Sequence, residues 1–317
     1  MAEPVGSRGS ILETRSAHDR MPAFEWAWQD TVFRIGREVV GDEAREPLLV
    51  LPAMSTVSTR DELRALAKAL VERRVVTVDW PGFGDTAKPC LDYGPEICRR
   101  FLQDLVAHLR EELGTGAFPV AACGHAAGYA IDLEARIPGT FTHLVLIAPT
   151  WRGPLPTIMN GQRPMHRRIR KLIHAPVVGE ALYRLNVSRP VVRMMYRGHV
   201  FADPAFLTED LLTRRMRLTR QPGARFASAC FVTGALDPFA DRAAFLDAAR
   251  QVQVPILVLY GPDTPPRSRA EMDALVALPG IASQVLERGA LGIAEERAAD
   301  LAPLIEGFLL RPWPSAG

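Results

Sequence analysis

The chain has 317 residues, 48% of them hydrophobic and 23% charged, with a formal net charge of +2. That length can bury one large core with an inserted segment, and the balance of charge excludes a disordered polyelectrolyte. No run reaches the roughly 18 apolar residues that a membrane-crossing helix requires, and Met1 to Arg20 lacks the apolar centre of a signal peptide. Cys90, Cys98, Cys123 and Cys230 have neither paired nor finger-like spacing, the pattern expected of reduced thiols in a cytoplasmic protein.

Residues 1–22 are expected to form a loose N-terminal tail. Phe24 to Val40 alternates apolar and polar residues, as an opening hairpin does. Pro47 to Leu51 reads as a short buried strand, and Arg60 to Arg73 as a helix through Leu63, Leu66 and Leu70. Val75 to Asp79 is the next strand and runs into the loop Trp80-Pro81-Gly82-Phe83-Gly84-Asp85. A helix over residues 92–113 follows, then a strand from Phe118 to Cys123, a helix from Tyr129 to Arg136 and a strand from His143 to Ala148. Strands alternating with helices predict a parallel sheet.

After Pro149 the alternation stops, and residues 151–250 contain helical pieces broken by prolines and glycines. It resumes with strands over Val254 to Tyr260 and Ile281 to Leu286, and helices over Ser268 to Leu278 and Ala294 to Leu310. The expected organisation is an α/β core built from residues 23–150 and 251–312, with a helical cap over 151–250.

Between Cys123 and Tyr129 lies Gly124-His125-Ala126-Ala127-Gly128. A strand turning sharply into a helix through Gly-x-Ser-x-Gly is the nucleophile elbow of the α/β hydrolases; here alanine stands at the serine position. Two further segments accompany it. Leu51-Pro52-Ala53-Met54 occupies the place of an oxyanion loop, and Asp79-Trp80-Pro81-Gly82-Phe83-Gly84 is close to an Asp-x-Pro-Gly-x-Gly turn. On these residues the chain resembles the α/β-hydrolase superfamily, specifically its capped members such as epoxide hydrolases and haloalkane dehalogenases. The resemblance implies an α/β-hydrolase fold, a mostly parallel sheet of about eight strands with a pocket between the cap and the carboxyl ends of the strands.

The chemistry implied by the resemblance needs a nucleophile, a histidine to take its proton and a carboxylate to orient that histidine. The nucleophile position is assigned to Ala126, so serine and a dehalogenase-type aspartate are both absent there. The histidine loop corresponds to Glu287 to Glu296, where Leu291 or Gly292 stands at the expected place; all seven histidines lie between positions 18 and 199. Counting from Gly261, the acid position is Thr264, with Asp263 one place early as a displaced candidate.

The scaffold of a site is expected to remain. Backbone N–H groups of Met54 and Ala127 would converge on an oxyanion hole, with Pro52, Ala53, Ser55, Trp80, His125 and Trp151 lining the pocket. His125 itself reads as a packed spacer, with a catalytic role as the alternative. Ser55, Thr56, Ser58 and Thr59 either cap the helix starting near Arg60 or hydrogen-bond a ligand. Asp237 reads as a turn residue, or as a partner for a cap arginine. Nothing has metal-ligand spacing, and no phosphate loop or dinucleotide fingerprint occurs, so neither metal nor cofactor is expected.

From Pro149 to Val200 the chain has ten Arg and Lys residues and one acid, Glu180. Arg163, Arg167, Arg168, Arg170 and Lys171 are the densest group, interleaved with Met165, Ile169, Leu172 and Ile173. Such a face is either a solvated basic surface or one that meets anionic headgroups, an acidic protein or an anionic ligand. Nucleic acid is not the expected partner, because no recognition motif accompanies the charge. The resulting expectation is a protein without an intact triad that binds a small hydrophobic or anionic ligand, or a partner, without hydrolysing it. Its alternatives are a non-covalent isomerase, cyclase or lyase using the same pocket, and a hydrolase with relocated residues. The expected location is cytoplasmic, with peripheral membrane association through the cap as an option.

Overall fold

The structure, a computed structural model, describes residues 10–12 and 23–311. Apart from residues 10–12, the expected tail lies outside the described residues. One nine-stranded sheet organises the fold. Strands β1 (Ser10–Leu12), β2 (Ala23–Trp28) and β3 (Thr31–Val40) form an antiparallel flank, and β3 pairs antiparallel with β5 (Arg73–Val78). From there the sheet is parallel, running β5, β4 (Glu46–Leu51), β6 (Phe118–Cys123), β7 (Phe141–Ile147), β8 (Ile256–Tyr260) and β9 (Ile281–Val285). Strands β6 and β8 are buried at every residue, which is why they read as unbroken apolar runs and not as alternating ones.

Helices cover the sheet where their apolar faces demand it. Helix α1 spans Arg64–Ala69, and α2 spans Pro95–Leu113, opening on proline and closing on Gly114, whose φ of 60° supplies a left-handed C-cap. The helix expected over 60–73 is shorter and begins with a separate 3₁₀ turn, Arg60–Leu63. Its first turn is held to the sheet by Asp79, which accepts hydrogen bonds from the Thr59 hydroxyl (3.0 Å), the Arg60 N–H (2.7 Å) and the Arg60 guanidinium. Trp26 joins the antiparallel flank to α2 by donating to Asp104 (3.0 Å). Helix α3 (Ala126–Arg136) follows β6 directly.

Between β7 and β8 the chain is helical: α4 (Pro154–Ile158), α5 (Pro164–His174), α6 (Val178–Asn186), α7 (Arg189–Met195), α8 (Glu209–Thr219), α9 (Arg225–Val232) and α10 (Arg242–Gln251). This insertion has its own small core, in which Tyr183, Val192, Tyr196, Phe201, Leu212 and Met216 gather around Val57 from the loop after β4. Helix α10 packs on α3 and on α11 (Pro266–Val276), so it belongs to the layer covering the sheet. The helix expected over 294–310 is broken in two, α12 (Ile293–Glu296) and α13 (Ala298–Leu309), at the non-helical Arg297.

Candidate functional site

The strand-to-helix turn after β6 falls on Gly124, which has φ of 52°. Ala126, expected at the nucleophile position, is instead the first residue of α3 and fully buried. The strained turn of an elbow is the residue between strand and helix, so the sharp position lies two residues earlier than the Gly-x-x-x-Gly spelling suggests. Glycine reaches a left-handed φ without steric cost, which explains why this residue turns the chain here. A Cβ built on Gly124 would lie 3.0 Å from the Cβ of Ala53. The Gly124 N–H donates to Ile147 (2.9 Å), and its carbonyl accepts from Ala127 (3.2 Å) and Thr150 (3.0 Å).

That geometry also bears on one of the two expected oxyanion donors. The N–H of Ala127 is engaged in the turn by Gly124. Ala53, expected as pocket lining, donates its N–H to the carboxylate of Glu62 (3.2 Å), and Met54 beside it is 1% exposed. Pro52 accepts from the Trp80 indole (3.0 Å), and Trp80 is buried between Phe101 and Tyr129. The hydroxyls after Met54 are internally paired: Ser55 with Ser58 (2.8 Å) and Thr56 with Ser228 of the insertion (2.5 Å). Thr59 is the backbone N-cap of the 3₁₀ turn, but its hydroxyl goes to Asp79 and not to the helix.

Glu62 places a carboxyl close to Arg215 of the insertion. Burial pushes its carboxyl up to about 8, against the attraction of Arg215. Arg215 on α8 in turn donates to both oxygens of Glu295 (2.6 and 2.7 Å). Glu295 lies in α12, inside the loop expected to hold a histidine. The rest of that loop is joined to the insertion by backbone. Leu291 and Gly292 donate to His199 (3.3 Å) and Val200 (2.7 Å), while Ala202 and Asp203 donate to the Glu296 carboxylate (2.9 and 2.6 Å). Neither Glu62 nor this contact was legible from sequence, since each carboxylate reads as an exposed helix position.

The remaining candidates separate. Asp263 is exposed, and its carboxylate accepts from the Gly289 N–H (2.9 Å), bridging the loops after β8 and β9. Thr264 is buried, and its hydroxyl has no partner among the described residues. Trp151, expected in the pocket, is 2% exposed; it donates to Glu271 on α11 (3.1 Å) and stacks on Phe245 of α10. Asp237 is not a simple turn residue: it accepts from the Gly153 N–H (2.8 Å) and lies 3.7 Å from the Nε2 of His125. Burial pushes the Asp237 carboxyl up to about 7 and the His125 imidazole down to about 4. Nε2 of His125 faces the carbonyl of Leu236 (3.0 Å), whereas its buried Nδ1 has no partner among the described residues.

Of the basic residues singled out, Arg167, Arg170 and Lys171 line one cavity of about 650 Å³ together with Asp92 and His174. Arg163 instead is the N-cap of α5, bonded to the Met159 carbonyl, and Arg168 is exposed on the same helix.

A mostly parallel sheet, a left-handed strand–helix turn and a helical insertion over the strand ends define the α/β-hydrolase class. The chain matches the Alpha/beta hydrolase family over residues 18–304 and belongs to it. A comparison with curated proteins finds no sequence match. Among solved structures, the epoxide hydrolase CorEH is similar at 17% identity and a TM-score of 0.67, with 92% of this chain and 99% of that one covered. An esterase from Thermogutta terrifontis has 17% identity and a TM-score of 0.67, covering 92% and 98%. A loop variant of a haloalkane dehalogenase from Bradyrhizobium elkanii has 18% identity and a TM-score of 0.62, covering 92% and 96%. These likenesses are of fold.

Proposed function

We propose that this chain is a non-hydrolytic member of the α/β hydrolase family and acts by binding. The observation that carries the reading is Gly124: the left-handed turn residue has no side chain, and Ala53 stands 3.0 Å from where one would begin. A covalent mechanism needs an attacking atom and a base within hydrogen-bond reach of it. The histidine next to the turn is His125, and its Nε2 faces Leu236. Where the family's histidine would project, Leu291 and Gly292 are bonded to the insertion. The ligand class that fits is a small hydrophobic or anionic molecule, or a partner protein. The purified chain is expected to resist a fluorophosphonate probe and to leave aryl esters unhydrolysed above background; covalent labelling of any serine would overturn the reading. Native mass spectrometry of the freshly purified protein then identifies a retained ligand.

A second reading, proton transfer without a covalent intermediate, has one observation in its favour. The Nδ1 of buried His125, without a partner among the described residues, lies in a ring close to Asp237, whose carboxyl is pushed up to about 7. An NMR titration distinguishes it: the His125 ring must change protonation on ligand addition, and a ring that stays neutral throughout removes this reading.

A further inference from the structure

The outer surface of the insertion has a composition unlike the rest of the molecule. Among the described residues, nine of the fourteen large apolar side chains that are exposed lie between Ile158 and Met195. Over the same stretch the sequence has eight Arg and Lys residues, which flank the turn without entering it (none lies between Lys171 and Arg184), and the single acid Glu180, which is already paired with Arg184 (2.7 Å) and Arg225 (2.6 Å). On α6, Val178, Leu182 and Leu185 follow the i, i+4, i+7 spacing of one helix face and are all exposed, while Gly179 and Tyr183 are buried. On α5, Met165, Arg168 and Leu172 form an exposed stripe in the same manner.

The turn between these helices is the most informative point. Val177 is 82% exposed and has φ of 56°. A β-branched residue in that region is strained, by roughly 1–3 kcal/mol in typical cases. Glycine would relieve the strain in water, so folding alone does not account for an apolar side chain at this tip. The approach of the helices is close as well, since a Cβ on Gly179 would meet the Ile173 carbonyl. A cavity of about 650 Å³ on α5 is lined by Arg167, Arg170 and Lys171, with Asp92 3.7 Å from Arg170; a second, of about 600 Å³, is lined by Arg189, Arg193 and Arg197, the first two of which are paired with Glu209 (2.5 Å).

We infer that the α5–α6 hairpin docks on an anionic lipid bilayer, with Val177, Val178, Leu182 and Leu185 in the interfacial apolar layer and Arg167, Arg168 and Lys171 on lipid phosphates. Apolar side chains set among cations of one sign match a surface that is anionic above and hydrocarbon below. An acidic protein would satisfy the cations but leave the strained valine tip unexplained. No helix among the described residues is long and apolar enough to cross a membrane, so the contact is interfacial. The inference concerns the outer face and stands whether or not the buried site turns over a substrate.

Flotation of the full chain with vesicles tests it. The protein is expected to float with phosphatidylcholine–phosphatidylglycerol vesicles and not with phosphatidylcholine alone, and salt should weaken the binding. Replacing Arg167, Arg168 and Lys171 together by Gln should lower the partition constant about 100-fold, because each basic residue at such a surface is worth about fivefold. The triple change Val178→Ser, Leu182→Ser and Leu185→Ser should lower it by at least about tenfold with an unchanged circular dichroism spectrum. Absence of flotation overturns the inference. So does binding that the serine triple leaves intact, or equal retention on poly-glutamate, which assigns the face to an acidic protein. Self-association abolished by the serine triple in the absence of lipid overturns it in favour of a second copy of the chain.

Discussion

Arg215 and Glu295 meet through two hydrogen bonds, 2.6 and 2.7 Å long, that tie the insertion to the loop after β9. The Arg215 side chain is 3% exposed and that of Glu295 17%. Removing one member strands the other in a poorly hydrated place. Arg215→Ala is expected to lower stability by about 3–5 kcal/mol, read by urea unfolding. The paired change Arg215→Met with Glu295→Met should cost much less than the sum of the single changes, and strict additivity in that cycle would mean that the contact contributes nothing.

Gly124→Ser puts the missing hydroxyl at the left-handed turn. The variant is expected to remain inactive toward aryl esters and to lose about 1–3 kcal/mol, from the φ of 52° and the approach to Ala53. Adding Ala53→Gly should recover part of the stability but none of the hydrolysis. Ester turnover by either variant would reveal a base next to the turn.

The fold was largely legible because β4, β6, β7 and β8 are compact Val, Leu, Ile and Ala runs punctuated by helices. The elbow was legible as a motif but not in register. Ala122, Gly124, Ala126 and Gly128 are all small, so spelling alone permits more than one alignment, and only the sign of φ separates them. The contacts of Glu62, Arg215 and Glu295 were not legible, because they join segments far apart in the chain and each residue has an ordinary helical setting. Ser55 to Thr59 looked like a capping cluster for the opposite reason. The residue that organises the first turn, Asp79, lies at the end of a different strand.

Glu62 gives the structure a pH dependence of definite sign. Its carboxyl is pushed up to about 8 in the folded chain, above the ordinary glutamate value, so the folded state favours the protonated form. The stabilisation is fully present below the unfolded value, near the ordinary carboxylate range, and is lost as pH rises toward 8. Glu62→Gln is expected to match the parent at acidic pH and to have the higher melting temperature on the alkaline side. Parallel melting curves across that range would show that Glu62 ionises as freely in the fold as outside it.

The opposite slope is expected from Glu271. Burial alone would raise its carboxyl, but hydrogen bonds from Arg242 and Trp151 and the charge of Arg152 outweigh it and hold the group below the usual range. Its contribution is therefore present above the ordinary glutamate value and lost as pH falls through the folded one. Glu271→Gln is expected to cost about 1.5–3 kcal/mol at neutral pH, and much less in acid. Because Trp151 donates to this carboxylate (3.1 Å), its fluorescence should shift in the variant; unchanged emission with unchanged stability would count against the contact.

The bonds between residues 199–203 and the 291–296 loop bear on the order in which the protein is made. Ala202 and Glu296 are 94 positions apart, so the surface that the insertion turns toward that loop has no cover until those further 94 residues have been synthesised. Helix α13 emerges later still, and its Glu306 must reach back to Arg73 in β5 (3.0 Å). The nascent chain therefore completes its central strands long before it can fasten them. During that interval the inner face of the insertion stays uncovered, and surface exposed in that way is prone to wrong contacts.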